Sequence, residues 1–113
     1  MQIKTIIAGS TGLVGSELLA MMIADPEVSE IVSLVRKPSG ITHPKLTEEI
    51  IDFDYLENHQ LAIQGDVVFC CLGTTIKKAG TKENFKKVDL DYPLELAKIA
   101  KKNSVPQFNI ITA

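Results

Sequence analysis

Ile3-Lys4-Thr5-Ile6-Ile7-Ala8-Gly9-Ser10-Thr11-Gly12-Leu13-Val14-Gly15 decides how the chain reads. A short apolar, β-branched run ends in three glycines spaced three apart, and a helix-like segment follows at once. The pattern predicts a strand, a tight turn and a helix. Gly9 lets the chain turn at the strand end, Gly12 lets the backbone approach a pyrophosphate, and Gly15 lets the helix pack close to the sheet. Unsatisfied N–H groups and the positive dipole end of that helix favour an anion. The spacing is G-x-x-G-x-x-G rather than G-x-G-x-x-G, but its setting after a strand and before a helix is the one a dinucleotide fingerprint requires. A purely structural strand-to-helix turn is the plainer alternative.

Outward from that motif, apolar runs alternate with helical patterns. Strands are expected at about Ile3–Ala8, Glu30–Val35, Glu49–Phe53, Val67–Leu72 and Phe108–Thr112. Val67–Leu72 is almost continuously apolar, which suits a central parallel strand buried on both faces. Helices are expected at Leu13–Ala24, with Val14, Leu18, Met21 and Met22 on one face, and at Asp54–Ala62. Lys82–Val88 and Tyr92–Lys102 read as one kinked helix or two successive ones, with Asp91 as a cap and Pro93 in a first turn. Strands joined by long crossovers make a parallel sheet with helices on both faces, an α/β doubly wound fold.

With 113 residues and 45% apolar composition, the chain is long enough for one domain with a real core and is not a disordered segment. A net charge of −2 implies no general attraction to nucleic acid or membrane. There is no membrane-length apolar run and no basic, cleavable leader. Cys70 and Cys71 are adjacent, so on a strand they point to opposite faces, which argues against a mutual disulfide and lacks zinc-site spacing. The thiols read as buried in a reducing, cytoplasmic protein.

Arg36 and Lys37 follow the second strand directly, where a dinucleotide site faces the adenosine ribose. No acidic residue lies between Val32 and Thr47 to select NAD through the ribose hydroxyls. Two cations there favour a 2′-phosphate and hence NADP; a solvated basic turn is the alternative. Asp52 is placed to accept from the adenine amino group and Phe53 to cover the ring, or Asp52 simply caps the next helix. Gly73-Thr74-Thr75 follows strand four and borders the same crevice, with Gly73 giving room for the nicotinamide half and Thr74 donating to the pyrophosphate or ribose; a plain turn is the alternative. Lys77, Lys78, Lys82, Lys86 and Lys87 read as a solvated basic face. His43 and His59 are isolated, so neither metal binding nor acid–base chemistry is expected of them, and no metal site is expected at all.

GSTGLVG, LVRKP, IDFD, DVVFCCLGTTIKKAG, FKKVDLDYPLELA and FNIITA occur in that order. Together they resemble the atypical short-chain dehydrogenase/reductase family, in the branch typified by the Tat-interacting oxidoreductase and its bacterial homologues. The resemblance spans almost the whole chain. It implies an NADP(H)-binding Rossmann domain over 1–113, about five strands in the order 3-2-1-4-5, forming the N-terminal part of a longer fold and stopping after strand five. It implies cofactor contacts from Gly9, Ser10, Thr11, Gly12, Leu13, Val14 and Gly15 at the pyrophosphate, Arg36 and Lys37 at the 2′-phosphate, Asp52 and Phe53 near adenine, and Cys71, Leu72, Gly73 and Thr74 along the cofactor. NADPH is the cofactor expected, NAD the less favoured one.

In that family a tyrosine, its pKa lowered by a lysine four residues on, acts as the general acid or base. Tyr55 is followed at that spacing by His59 and Tyr92 by Leu96, so the pair is absent from these 113 residues. Thr112 lies next to the family's serine position and is the one weak catalytic candidate. The expected function is therefore the cofactor-binding portion of an oxidoreductase whose hydride transfer needs residues beyond the chain. A dinucleotide-sensing regulatory module without turnover is the alternative. The expected partners are the dinucleotide and a small-molecule substrate, not nucleic acid or membrane, with a homo-oligomer left open.

Overall fold

A computed structural model describes residues 2–72 and 80–111. Five strands, β1 (Ile3–Ala8), β2 (Val28–Val35), β3 (Leu46–Ile50), β4 (Val67–Cys70) and β5 (Gln107–Ile110), form one sheet in the order β3-β2-β1-β4-β5. Every neighbouring pair is parallel. Parallel neighbours require crossovers. These are α1 (Leu13–Ala24), a 3-10 segment (Phe53–Ala62), and the helical stretch made of α2 (Lys82–Lys86), a π-helical turn (Lys87–Asp91) and α3 (Tyr92–Lys102).

β1 lies at the centre of the sheet, and its period-2 alternation sends neighbouring side chains into different cores. Ile6 and Ala8 join Val32, Leu34, Val68 and Cys70 beneath Leu96, Ile99 and Ala100 of α3 and Phe53, Leu56 and Ile63. Ile7 faces the other way, onto Leu19, Met22, Val28 and Ile31, under α1. The two faces are thus covered by different crossovers, and the strand order reverses between β1 and β4. In such sheets the crevice at the carboxyl ends of those two strands is where ligands bind. The cysteines follow the alternation: Cys70 is buried in the first core and Cys71 packs against the second, both as free thiols.

Several local expectations shift. α1 has its expected ends but buries Gly15, Leu19 and Met22, while Met21 is 68% exposed. Its sequence is apolar on nearly every side, so periodicity marks the face poorly; the close approach at Gly15 sets it. β3 lies earlier than Glu49–Phe53 and pairs Leu46 with Ile31 and Ile50 with Val35. The Ile51 N–H still donates to the Val35 carbonyl at 2.8 Å, after which the chain leaves the sheet. The burial of Ile51 and Phe53 comes from this departure into the core and not from ladder positions. β4 ends at Cys70, and β2 begins two residues sooner than expected.

Asp91 does not cap a helix. It is itself helical (φ −67°, ψ −45°) and makes no capping bond. The Tyr92 N–H reaches back five residues to the Lys87 carbonyl, closing the π turn. Pro93 has no N–H and its ring crowds the preceding turn, and a local widening accommodates both demands without breaking the helix.

Candidate cofactor site

Gly9 ends β1 with φ +85°, a left-handed conformation, and a Cβ on it would lie 2.6 Å from the Cys71 carbonyl oxygen. Both facts require glycine. The turn closes with the Gly12 N–H donating to the Gly9 carbonyl at 3.3 Å, and α1 starts with the Ser16 N–H donating to the Gly12 carbonyl at 2.9 Å. Gly12 is therefore the N-cap, with extended backbone and no side-chain capping bond. At Gly15 an added Cβ would meet the Gly9 carbonyl oxygen at 1.9 Å, so this glycine seats the helix on the turn itself. The first N–H groups of α1 point out of this end of the helix, beside the exposed Thr11, Gly12 and Leu13 and the half-buried Val14.

Ser10 is placed differently from a phosphate-facing hydroxyl. Its Oγ lies 2.6 Å from Ser33 Oγ, both buried, and ties the glycine turn to β2. Ser33 went unnoticed in the sequence because a serine within a strand carries no signal of its partner.

A groove of about 670 Å³ opens at the carboxyl end of the sheet, lined by Gly9, Ser10, Thr11, Arg36, Lys37, Phe53 and Leu72 among others. Residues from four separate stretches of sequence thus share one cleft of the size small ligands occupy. Arg36 and Lys37 are exposed at its lip. The loop carrying them is tethered by Glu48 on β3: its carboxylate accepts from the Ser39 N–H at 3.2 Å and from the Ser39 hydroxyl. The Ile41 N–H closes the loop onto Ser39 Oγ at 3.2 Å.

Asp52 is a cap, its carboxylate accepting from the Asp54 N–H at 3.0 Å, while its own N–H donates to His59 Nε2 at 3.2 Å. Phe53 follows it into the groove wall. Behind Phe53 stands Tyr92, its ring centroid 5.6 Å away and tilted by 37°. The Tyr92 hydroxyl donates to Asp54 Oδ1 at 2.7 Å, and Lys87 Nζ lies 3.8 Å from the same oxygen. Partial burial, then the Asp54 carboxylate, push the Tyr92 hydroxyl up to about 12, with Asp52 adding to the effect and Arg36 opposing it.

Cys71 and Leu72 continue from β4 past the glycine turn. Burial pushes both the Cys70 and Cys71 thiols up, so neither is an activated nucleophile. His43 Nδ1 accepts from the Lys45 N–H at 3.1 Å. Among the described residues no group of three or more His, Cys, Asp or Glu side chains stands where a metal ion could be held. Gly73, Thr74 and Thr112 lie outside the described residues, as do Lys77 and Lys78.

Residues 4–90 match the family described as semialdehyde dehydrogenase, NAD binding domain, and the chain belongs to that family. It is a dinucleotide-binding domain of Rossmann type. Over its whole length it is 35% identical to protein HTATIP2 of Rattus norvegicus, of which it covers 48%. Over 88% of its length it is 35% identical to the mitochondrial protein FMP52 of Candida albicans, of which it covers 46%. The chain thus spans about half the length of these curated relatives. Among solved structures it is similar to the oxidoreductase ylbE of Lactococcus lactis, at 25% identity and a TM-score of 0.76, covering 95% of this chain and 47% of that one. The Bordetella bronchiseptica enzyme WbmH in complex with NAD+ shares the fold, at 21% identity and a TM-score of 0.78, covering 96% of this chain and 38% of that one.

The relatives correct one expectation. FMP52 proteins of Candida albicans, Chaetomium globosum and other fungi are named mitochondrial, which contradicts the cytoplasmic reading. Two unpaired cysteines, one buried and one half-buried, do not name a compartment. Among the described residues no helix is long and apolar enough to cross a membrane.

Proposed function

We propose that residues 1–113 are the NADP(H)-binding portion of an oxidoreductase of the short-chain dehydrogenase type. The observation that carries this reading is the meeting of the glycine turn with Arg36 and Lys37 in one groove, with Phe53 on its wall. The residues fit a dinucleotide: Gly9 and Gly15 leave no room for a side chain, whereas among the described residues a Cβ on Gly12 would meet only the Gly9 carbonyl oxygen, at 3.6 Å. That leaves space above the turn for a pyrophosphate against the N–H groups of α1. Arg36 and Lys37 would hold a 2′-phosphate, Asp52 and Phe53 the adenine side, and Cys71, Leu72, Gly73 and Thr74 the rest of the cofactor. The bound nicotinamide supplies or accepts a hydride. In this reading the chain binds and orients the dinucleotide and keeps water from one face of it. The proton that accompanies hydride transfer comes from groups other than Tyr55 and Tyr92, neither of which has a lysine four residues on.

The family and the WbmH complex name NAD, so the preference for NADP rests on the two cations alone. Calorimetric titration of NADPH and NADH into the parent and into Arg36→Glu tests it. Each charge-assisted contact contributes about 1.5–3 kcal/mol. NADPH should therefore bind the parent at least about tenfold tighter than NADH, and Arg36→Glu should remove most of that difference. Equal affinities in the parent would overturn the NADP assignment. A dinucleotide sensor without turnover is the second reading; a Tyr-x-x-x-Lys pair in the sequence that follows these residues would favour the enzyme, and its absence there the sensor.

A further inference from the structure

We propose that Tyr92 is a positioning residue for the adenine side of this groove, acting through Phe53 and fixed by Asp54. The inference rests on the cofactor reading above and adds to it a residue from the helical stretch between β4 and β5, far from the glycine turn in sequence.

Phe53 lines the groove, and the Tyr92 ring stands 5.6 Å behind it at a 37° tilt. Phe53 is packed into the core on its inner side, and what stands against its ring there bears on the ring's angle. The Tyr92 ring is an aromatic one among those neighbours, and it is in turn held at its far end by the 2.7 Å bond from its hydroxyl to Asp54 Oδ1. Asp54 is only one residue beyond Phe53, at the start of the 3-10 segment that the Asp52 carboxylate caps. The tyrosine therefore grips the Phe53 segment twice, by ring and by hydroxyl.

The π turn has a reason in this arrangement. At 3.6 residues per turn, side chains five apart diverge by about 140° on a regular helix. Across Lys87–Asp91 the Tyr92 N–H reaches the Lys87 carbonyl, so the widened turn brings residues 87 and 92 to the same side. Both then reach Asp54 Oδ1, Lys87 Nζ at 3.8 Å and the Tyr92 hydroxyl at 2.7 Å. Lys87 and Asp54 are each half exposed, so that ion pair is weak, and the tyrosine bond is the stronger of the two contacts at Asp54.

The experiment uses Tyr92→Leu and Tyr92→Phe in the whole chain, titrated by NMR with NADPH, adenosine 2′,5′-bisphosphate and nicotinamide mononucleotide. Tyr92→Leu should weaken NADPH and the adenosine bisphosphate by the same factor, about tenfold, and leave the mononucleotide unchanged. Tyr92→Phe keeps the ring and releases Asp54, and should lose about threefold on the adenine-bearing probes alone. Should Tyr92→Leu fail to fold, Tyr92→Phe decides. Unchanged affinity for the adenosine bisphosphate in the folded variants overturns the proposal, as does an equal loss on both fragments, which would mark a merely structural tyrosine. A parent chain that binds neither NADPH nor the adenosine bisphosphate overturns the cofactor reading itself. A parent that binds both, with variants that match it, overturns only the role of Tyr92.

Discussion

Gly12 and Gly15 sit on the same turn of the chain and should respond oppositely to substitution. A Cβ on Gly15 would lie inside the Gly9 carbonyl oxygen, at 1.9 Å, with backbone on both sides of the clash. Gly15→Ala should cost about 3 kcal/mol or more, measured by urea denaturation. Gly12 has extended backbone and, among the described residues, only one neighbour within van der Waals range, so Gly12→Val should fold with a loss of about 1 kcal/mol and yet bind NADPH far more weakly. A Gly12→Val chain with parental affinity would show that no ligand lies on this turn. Tyr92 offers a second residue-scale test. Its hydroxyl pKa is raised from the ordinary 10.0 to about 12, so the folded state holds this proton more tightly than the unfolded chain does. That contribution is fully present below pH 10 and is lost as pH rises towards 12. The thermal midpoint of the parent should fall more steeply across that window than that of Tyr92→Phe, and parallel curves would contradict the assignment.

Among the elements, α3 ends in a way its sequence disguises. The Ser104 N–H donates to the Lys101 carbonyl at 3.1 Å and the Val105 N–H to the Ala100 carbonyl at 2.9 Å, the paired bonds of a left-handed helix terminus. Ser104 carries the positive φ, 58°, where glycine is usual. Ser104→Gly should stabilise the chain by about 0.5–1 kcal/mol, the relief of left-handed strain less the added entropy of the unfolded glycine. A loss of stability in denaturant would show that the serine side chain matters here. Without glycine to mark it, this stop could not be read from Lys101-Lys102-Asn103-Ser104. The same difficulty applies to α1 and β3. α1 is so apolar that several faces compete, whereas β3, Leu-Thr-Glu-Glu-Ile, is an edge strand with too little alternation to place its ends. β1 and α1 were legible to the residue in their limits, because Gly9 and Asp25-Pro26 punctuate them.

At the scale of the molecule, alternation alone led to a parallel sheet, and the family resemblance to its order 3-2-1-4-5, since each long crossover forces a parallel neighbour. The residues named from the sequence that line the groove are ones whose type carries a signal of its own: Gly9 for its backbone, Arg36 and Lys37 for charge, Phe53 for its ring. Groups defined by a distant partner were not. Ser33 beneath Ser10, Glu48 on Ser39 and Asp54 under Tyr92 each depend on contacts across 9 to 38 residues of sequence. The 113-residue chain, given NADPH with a panel of aldehydes, quinones and ketones, should oxidise it at no more than the background rate. A positioned acid supplies about 10²–10⁴-fold, and Tyr92 is tied to Asp54 with its proton held too tightly to serve. A robust substrate-dependent rate from this chain would show that its tyrosines have been misassigned.

The central claim, that a dinucleotide lies across the glycine turn with its 2′-phosphate at Arg36 and Lys37, is tested most directly by mapping amide chemical-shift changes as NADPH is titrated into the chain. Saturable changes are expected at Gly9–Gly15, Arg36–Ser39, Phe53 and Leu72, with those at Arg36 and Lys37 much reduced when NADH replaces NADPH. Changes that spare this groove, or that cluster on the opposite end of the sheet around Thr5, Leu18 and Phe69, would contradict it.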